Sequence, residues 1–310
     1  MVIAQYINFK RDLGMGFRSQ AEILETFTRA IGQRDIKQVT PLAVQAFIAG
    51  SGPPTSAWLQ RYYTMRAFYR YAMSRGFVAA APLPTKLPKI PPAQQPYLYT
   101  AGELQRMLTA TAILWTPRTP WRPAQFRALL LLLYGTGLRI SEALSLTLRD
   151  VDAAEGLLTI RKTKFFKERM VPFGPKLAQE LAAFERRRRR EQSMFAGEEA
   201  PFFATGWGTR WGRGHVEHLF RLVCVEAGVL GSEGARWRPR IHDLRHTAAQ
   251  HRVEAWYRDG KDVQRMLPQL ATYLGHRDIG SVQRYLHMTP ELLHEAGRRF
   301  ERYAVGLTRP

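Results

Sequence analysis

Apolar residues recur at helical spacing through the first 81 residues, and this pattern predicts a set of helices. The strongest helix is predicted from Ser56 to about Arg75. Its buried face is formed by four positions that lie within a narrow arc, namely Trp58, Tyr62, Met65 and Tyr69. Another helix is predicted to begin where Thr40 supplies an N-cap and Pro41 occupies the first helical position.

The second part of the chain is also helical in pattern, with one interruption. The segment 100–103 (TAGE) has the spacing of a capping box. The apolar run Ala128–Leu133 predicts a buried helix, after which Gly135 and Gly137 are expected to turn the chain. Residues 156–172 (GLLTIRKTKFFKERMVP) instead alternate apolar and basic positions, as a β-hairpin does. The chain is therefore predicted to be mainly α with a small antiparallel β-sheet.

A proline-rich stretch separates these two parts. Residues 82–96 (PLPTKLPKIPPAQQP) contain six prolines and two lysines, which predicts a stiff, extended connector. Such segments can also dock in aromatic grooves, but between two folded regions we favour a linker. We therefore expect a helical domain at residues 1–88, a linker at 89–96 and a second domain at 97–310.

The charge balance narrows the class of partner. The chain carries 46 lysines and arginines against 26 acidic residues, a net charge of +20, which favours a polyanion such as nucleic acid or an anionic membrane. A membrane is disfavoured because no apolar run approaches about 20 residues and the N-terminus lacks the apolar core of a signal peptide. One cysteine, Cys224, excludes an internal disulfide and fits a reducing cytoplasm.

The basic residues are unevenly distributed. Between Asp35 and Glu103 there is no acidic residue, whereas an ordinary solvated surface mixes both signs. We therefore interpret the N-terminal part as a surface that faces phosphates. The predicted DNA contacts in this part are Arg61, Arg66, Arg70, Lys86 and Lys89.

Three distant segments concentrate residues that suit attack on a phosphodiester. They are residues 134–142 (YGTGLRISE), 241–246 (IHDLRH) and 271–286 (ATYLGHRDIGSVQRYL). The candidates among their residues are one tyrosine (Tyr285), two arginines (Arg139 and Arg245) and two histidines (His242 and His276). In the second segment, positions 242, 245 and 246 fall at helical spacing, so one helix face would carry all three side chains.

Each of these residue types has a chemical role to fill. Tyr285 is a candidate oxygen nucleophile, although a free phenol has a pKa of about 10 and must be activated. Arg139 and Arg245 carry planar donor forks that match the oxygens of a phosphate under attack. His242 and His276 titrate near neutrality, so either could exchange a proton or bind a phosphate oxygen. An isolated Arg139 could equally form a surface salt bridge with the glutamate three residues later.

Together these segments resemble the tyrosine recombinase (phage integrase) family. The catalytic half of that family carries an arginine in a TGLR-(I/V)-SE segment, an H-x-x-R segment, and an LGH segment followed nine residues later by a tyrosine. This sequence has TGLRISE at residues 136–142, HDLR at 242–245, LGH at 274–276, and Tyr285 nine residues after the last of these. H-x-x-R alone is a weak signal, but all the motifs in this order are highly specific.

The resemblance implies both a fold and a mechanism. It implies an N-terminal helical, SAM-like DNA-binding domain followed by an integrase-type catalytic domain. Tyr285 would form a covalent 3′-phosphotyrosyl intermediate, with Arg139 and Arg245 stabilising the transition state, aided by His242 and His276. Neither ATP nor a metal is expected as a cofactor, and the chain has no P-loop pattern.

The resemblance also points to a lysine in the predicted hairpin. In the family, a lysine at the tip donates a proton to the leaving 5′ oxygen, and counting back from KERMVPFG places Lys164 there. Phe165 and Phe166 stand where glycine or asparagine is common, so the register stays open. Lys162 and Lys167 are therefore further candidates, and both are also predicted to contact DNA.

Strand exchange between two duplexes requires two cuts on each and hence four subunits. The expected partner is a double-stranded DNA recombination site, bound by a homotetramer or by a hetero-tetramer with related recombinases. We expect this to occur in the cytoplasm, at the nucleoid. The segment that precedes the LGH motif is longer than is common in the family, which favours a subgroup from mobile elements. Three alternatives stay open: a type IB topoisomerase, a catalytically inactive or regulatory DNA-binding relative, and a metal-dependent nuclease.

Overall fold

The structure is a computed structural model that describes residues 2–32, 34–91, 95–161, 168–231, 238–275 and Gly297. The chain divides into two compact units, residues 1–94 and 95–310. Each unit has a hydrophobic core of its own. Among the described residues, no helix combines the length and the apolar character needed to cross a membrane.

The described part of the first unit is helical. Its α-helices are α1 (Val2–Asp12), α2 (Arg18–Ile31), α3 (Pro41–Ala49) and α4 (Ser56–Ser74). The four aromatic and apolar positions predicted for the buried face of α4 are each 9% exposed or less, so that prediction is confirmed. Arg66 and Arg70 lie on the same helix and are exposed.

The start and the end of α3 are both fixed by side chains. Thr40 caps the start, where its hydroxyl accepts a hydrogen bond from the backbone N–H of Ala43 at 3.3 Å, as predicted. At the other end, Arg61 of α4 donates to the carbonyl oxygen of Ala49 at 3.3 Å. This contact satisfies a carbonyl that the helix itself cannot pair. Arg61 therefore contributes to the packing of this unit.

The proline-rich segment has no regular structure where it is described. Residues 78–91 and 95–100 contain neither helix nor strand. Proline lacks the backbone N–H that helices and sheets use in their hydrogen bonds, so the absence of both from this segment follows from its sequence. Both lysines of the segment, Lys86 and Lys89, are exposed.

The second unit combines helices with a small sheet. Its α-helices are α5 (Ala101–Ala110), α6 (Arg122–Thr136), α7 (Ile140–Ser145), α8 (Pro175–Glu191), α9 (Arg213–Glu226), α10 (Asp243–Arg258) and α11 (Val263–Leu274). The strands are β1 (Val151–Asp152), β2 (Leu157–Ile160) and β3 (Arg169–Pro172), antiparallel and in the order β1-β2-β3. The predicted fold class, mainly α with a small antiparallel sheet, is confirmed.

The β2–β3 hairpin follows the predicted alternation. Leu158 pairs with Val171, and Ile160 pairs with Arg169. The three apolar members of these pairs are buried, and their side chains enter the core of the unit. Residues 162–167, which contain all three candidate lysines, lie outside the described residues.

The helix α6 does not end at Gly135, so the expected turn at that position is wrong. The helix continues to Thr136, and Gly137 ends it in the left-handed conformation with φ +63°. Gly135 instead allows a close approach of α8, because a Cβ there would lie 2.8 Å from the Leu177 side chain. The sequence showed two glycines but not which of them ends the helix.

Most of the five consecutive arginines at the end of α8 are committed to contacts within the protein. Arg188 is 3% exposed and donates hydrogen bonds to two carbonyl oxygens of the loop that follows. Arg187 and Arg189 form ion pairs with glutamates of the same helix. Arg186 and Arg190 are exposed. The run therefore stabilises the loop after α8 more than it displays charge.

Candidate active site

The turn between α6 and α7 positions Arg139. Gly137 ends α6 and Arg139 is the N-cap residue of α7. Glu142, in the first turn of α7, accepts a hydrogen bond from the Arg139 backbone N–H at 3.0 Å and from its Nη1 at 2.8 Å. The predicted i, i+3 pair is therefore present, and it holds the arginine by both its backbone and its side chain.

Glu142 is a buried carboxylate shared by two arginines. It is 9% exposed, and Arg169 of β3 donates to both of its oxygens, from Nη1 at 3.0 Å and Nη2 at 2.9 Å. Burial acts to raise the pKa of this carboxyl. The hydrogen bonds and charge of Arg169, with the N–H and charge of Arg139, outweigh it and lower the pKa. Glu142 is therefore ionised at neutral pH and anchors both guanidiniums.

Arg245, near the start of α10, joins the ends of two other helices. It is 2% exposed. Its Nη1 donates to the carbonyl oxygen of Gly137, at the end of α6, at 2.7 Å. Its Nη2 donates to the carbonyl oxygen of Leu274, at the end of α11, at 2.8 Å. Both carbonyls lie at helix C-termini, where a positive charge is also favoured by the helix dipole.

The two arginines meet at the end of α11. Arg139 Nη2 donates to the carbonyl oxygen of Gly275 at 3.0 Å, and Arg245 binds the carbonyl of the preceding residue. Arg139 and Arg245, which are 106 positions apart in sequence, thus bind the carbonyl oxygens of two consecutive residues. The next residue along the chain is His276, which lies outside the described residues.

Two glycines make this close packing possible. A Cβ on Gly137 would lie 2.5 Å from Leu274 Cδ2, and a Cβ on Gly275 would lie 2.6 Å from Arg169 Nη1. Both residues also have positive φ, +63° and +70° respectively. Side chains other than glycine rarely adopt that conformation, so both space and backbone geometry require glycine at these positions.

His242 stands at the N-terminal end of α10. Its ring centroid lies 5.1 Å from that of His246, and the two rings are nearly perpendicular. The residue is exposed. Although the residue as a whole is exposed, the protein atoms around its ring still desolvate it, and this desolvation, followed by the positive charge of Arg245, lowers the pKa of His242. A lowered pKa keeps the imidazole neutral near pH 7, in the form that can accept a proton.

The neighbouring carboxylate holds the turn that carries His242. Asp243 is fully buried and accepts from the backbone N–H of Arg240 at 3.0 Å and from its Nη2 at 2.7 Å. The hydroxyl of Tyr99 donates to the carbonyl oxygen of Arg240 at 2.8 Å. The turn that carries His242 is therefore held by a buried ion pair and by the hydrogen bond of Tyr99.

The structure brings three of the predicted site residues together, namely Arg139, His242 and Arg245. The remaining predicted residues of the reaction lie outside the described part of the chain, namely Lys164, His276 and Tyr285, as do Lys162 and Lys167. The other predicted DNA contacts belong to the first unit. Of these, Arg66, Arg70, Lys86 and Lys89 are exposed, and Arg61 is partly buried.

Arg169 also belongs to this site, although it was not among the residues predicted from the sequence. The available signal was its position two residues before Val171 in the predicted strand, because residues at that spacing share one face. A charged residue on an inward face requires a partner. Among the residues that the structure describes, no cluster of three or more His, Cys, Asp or Glu is arranged to hold a metal ion.

Comparison with known proteins places these features in context. The family model described as the phage integrase family matches residues 100–291. A putative integrase/recombinase, y4rB, of Sinorhizobium fredii is 34% identical over 305 residues, which cover 97% of this chain and 96% of that protein. Tyrosine recombinase XerC of Oceanobacillus iheyensis is 32% identical and covers 90% of this chain and 87% of its own length.

Solved structures share the fold at low sequence identity. The Tn1549 transposon integrase, in complex with a circular intermediate DNA, has a TM-score of 0.67 at 16% identity and covers 96% of this chain and 99% of its own. The XerH recombinase, bound to a palindromic difH substrate, has a TM-score of 0.66 at 18% identity, with 92% and 80% covered.

Proposed function

The chain belongs to the phage integrase family and is a tyrosine-type site-specific DNA recombinase, and we propose that Tyr285 is the residue that becomes linked to DNA. The phenolic oxygen attacks a phosphorus atom, the bond from phosphorus to the 5′ oxygen breaks, and a 3′-phosphotyrosyl ester forms. Attack by a 5′ hydroxyl on that ester restores the DNA backbone and frees the tyrosine. The ester bond is exchanged at each step, so resealing needs no ATP and no metal.

One observation carries this proposal, namely the alignment of Arg139 and Arg245 on the consecutive carbonyls of Leu274 and Gly275. The two guanidiniums are held near each other by the protein's own carbonyl groups. A phosphate under attack gains negative charge on its non-bridging oxygens, which is the charge that two fixed cations stabilise best. We assign that role to this pair.

The remaining roles concern protons. His242, with its lowered pKa, is the group that removes the phenolic proton of Tyr285, and His276 aids the arginines at the phosphate. Lys164 protonates the leaving 5′ oxygen, with Lys162 and Lys167 as the neighbouring candidates. These assignments follow the motif positions in this sequence.

We assign DNA binding to both parts of the chain, with a helical domain at residues 1–88, a linker at 89–96 and a catalytic domain at 97–310. The exposed cations Arg66 and Arg70 support this assignment for the first domain. The active assembly is a tetramer on two duplexes, formed by this chain alone or with related recombinases, at the nucleoid. A lambda integrase with a TM-score of 0.65 to this chain was solved as a tetramer bound to a Holliday junction.

Recombination is tested on plasmids that carry two copies of the DNA site. The site is first found by mapping where the purified protein nicks the DNA that flanks its own gene. We expect excised or inverted products, and we expect a protein–DNA adduct on a nicked suicide substrate. A topoisomerase would relax the plasmid without exchanging strands, and an inactive binding protein would give neither product nor adduct. Activity that disappears with EDTA would favour the nuclease alternative.

Binding to DNA is expected to depend steeply on salt. A protein that neutralises about six or more phosphates loses about 10³-fold in affinity between 50 and 200 mM salt. The double variant Arg66→Gln/Arg70→Gln should reduce the slope of log Kd against log salt by about 2, because two phosphate contacts are removed. Titrations at four salt concentrations by fluorescence anisotropy measure both values.

The matched control for this measurement is Arg18→Gln. Arg18 is an exposed helical arginine of the same unit, but it pairs with Glu22 at 3.5 Å. Its loss should leave the slope unchanged. A flat salt response of the wild type, or equal effects of the two changes, would contradict the assignment of Arg66 and Arg70.

A further inference from the structure

Arg169 lies at the junction of the sheet and the two arginine-bearing segments. It is the first residue of β3, where it pairs with Ile160 of the hairpin. Its side chain is 17% exposed and forms a two-pronged ion pair with Glu142. The same carboxylate holds the backbone N–H and the guanidinium of Arg139. The Glu142 carboxylate therefore bridges Arg169 and Arg139.

Arg169 also contacts the other side of the site. Its guanidinium packs against Gly275, where an added Cβ would be 2.6 Å from Nη1 and 2.8 Å from Cζ. The carbonyl oxygen of Gly275 is the second acceptor of Arg139. Glu142 and Gly275, whose oxygens hold the Arg139 guanidinium, therefore both contact Arg169.

The geometry of this contact explains why an arginine is needed. A carboxylate held by one partner can rotate, whereas a two-pronged pair fixes both oxygens in one plane. The charge balance matters as well. Glu142 alone would neutralise Arg139, but with Arg169 the cluster carries one surplus positive charge. That surplus is available to a phosphate.

We propose that Arg169 is a positioning residue, which fixes Glu142 and Gly275 and through them sets the orientation of the Arg139 guanidinium. It also ties this cluster to the hairpin that carries residues 162–167. The inference rests on the proposed function insofar as Arg139 acts on the phosphate. It concerns a residue that does not itself touch the DNA.

The first test measures single-turnover cleavage of a suicide substrate by Arg169→Met. We expect cleavage to fall by about 10- to 100-fold while DNA affinity stays within about twofold, because the variant leaves Arg139 present but misoriented. Arg169→Lys should show a similar loss, since a single ammonium cannot hold both carboxylate oxygens. Full activity of Arg169→Met would overturn the proposal.

The matched control is Arg161→Met. Arg161 follows β2 in the same hairpin and pairs with the buried Asp150 at 2.6 Å, which is a comparable ion pair with an acid that does not contact Arg139. The thermal stabilities of the two variants should be similar. Their cleavage rates should differ, with Arg161→Met close to the wild type. An equal loss of cleavage in both would indicate a general structural effect and contradict a positioning role.

The second test asks whether Arg169 acts through Arg139. Arg139→Lys removes the guanidinium that Arg169 would orient. In that background, adding Arg169→Met should lower cleavage by a further factor of less than about two. If the two losses multiply, Arg169 acts independently of Arg139 and the proposal is wrong. A merely structural residue would reduce activity by the same factor in both backgrounds.

A third readout does not depend on activity. In a crystal structure of Arg169→Met, Arg139 should lose its contact with Glu142 Oε1 or with the Gly275 carbonyl. Retention of both, at the 2.8 and 3.0 Å seen in the wild type, would overturn the inference. If the wild-type protein formed no adduct with DNA, the proposed function would fail, yet this readout would still decide on Arg169. Arg169→Lys serves the same purpose if Arg169→Met does not fold.

Discussion

Tyr285→Phe is expected to abolish the covalent protein–DNA adduct and to lower single-turnover cleavage by more than about 10³-fold. The substitution removes one oxygen atom, the one that forms the ester, and leaves the ring in place. DNA affinity should therefore stay within about twofold. Denaturing gels of a labelled suicide substrate measure the adduct, and mobility shifts measure the affinity.

Tyr273→Phe is the matched control for this experiment. Tyr273 precedes the LGH motif in α11, and its hydroxyl donates to the carbonyl oxygen of Pro172 at 2.9 Å. The change removes a hydroxyl of the same kind at the cost of about 1 kcal/mol of stability. Adduct formation should persist. An adduct formed by Tyr285→Phe would identify another nucleophile and refute the assignment.

Arg139→Lys is expected to cut cleavage by about 10²-fold or more while DNA affinity is nearly intact. The arginine uses Nη1 for Glu142 and Nη2 for the Gly275 carbonyl, so its fork is held in one plane. An ammonium has no such plane and cannot span both acceptors while facing a phosphate. Single-turnover cleavage and Kd, measured on the same substrate, separate the two effects.

The control for Arg139→Lys is the same change at Arg127. Arg127 lies on α6 and pairs with Glu180 of α8 at 3.3 Å on the partly exposed surface. Exposed pairs contribute about 0–1 kcal/mol, so Arg127→Lys should leave both cleavage and affinity unchanged. If Arg139→Lys weakened binding and cleavage equally, its role would be attraction of DNA rather than stabilisation of the transition state.

The sequence predicted the local features of this fold well. The buried face of α4 follows from the spacing of four large side chains, and the caps of α3 and α5 follow from Thr40 and Thr100. Such features depend on residues within one helical turn of each other. The placement of His242, Arg245 and His246 about the first turn of α10 was predictable for the same reason.

Features that depend on distant parts of the chain were not predictable. Arg169 and Glu142 are 27 residues apart, and their pairing requires the hairpin to return beside α7. The carbonyl acceptors of Arg188, at the end of α8, belong to Phe195 and Pro201 in the loop that follows, and no local pattern marks that pairing. Gly135 was predicted to be in a turn, but it is a helical residue that packs against Leu177 of α8, a partner that lies 42 positions later in the sequence.

The carbonyl contacts of Arg139 and Arg245 have an energetic consequence for the whole molecule. Folding brings two like-charged guanidiniums to neighbouring carbonyls, where they repel each other but need little rearrangement when a phosphate binds. Replacing either arginine by a neutral side chain would, however, leave carbonyl oxygens at the ends of α6 or α11 without their donor. A substrate phosphate relieves that repulsion. DNA binding should therefore stabilise the folded protein at the end of α11.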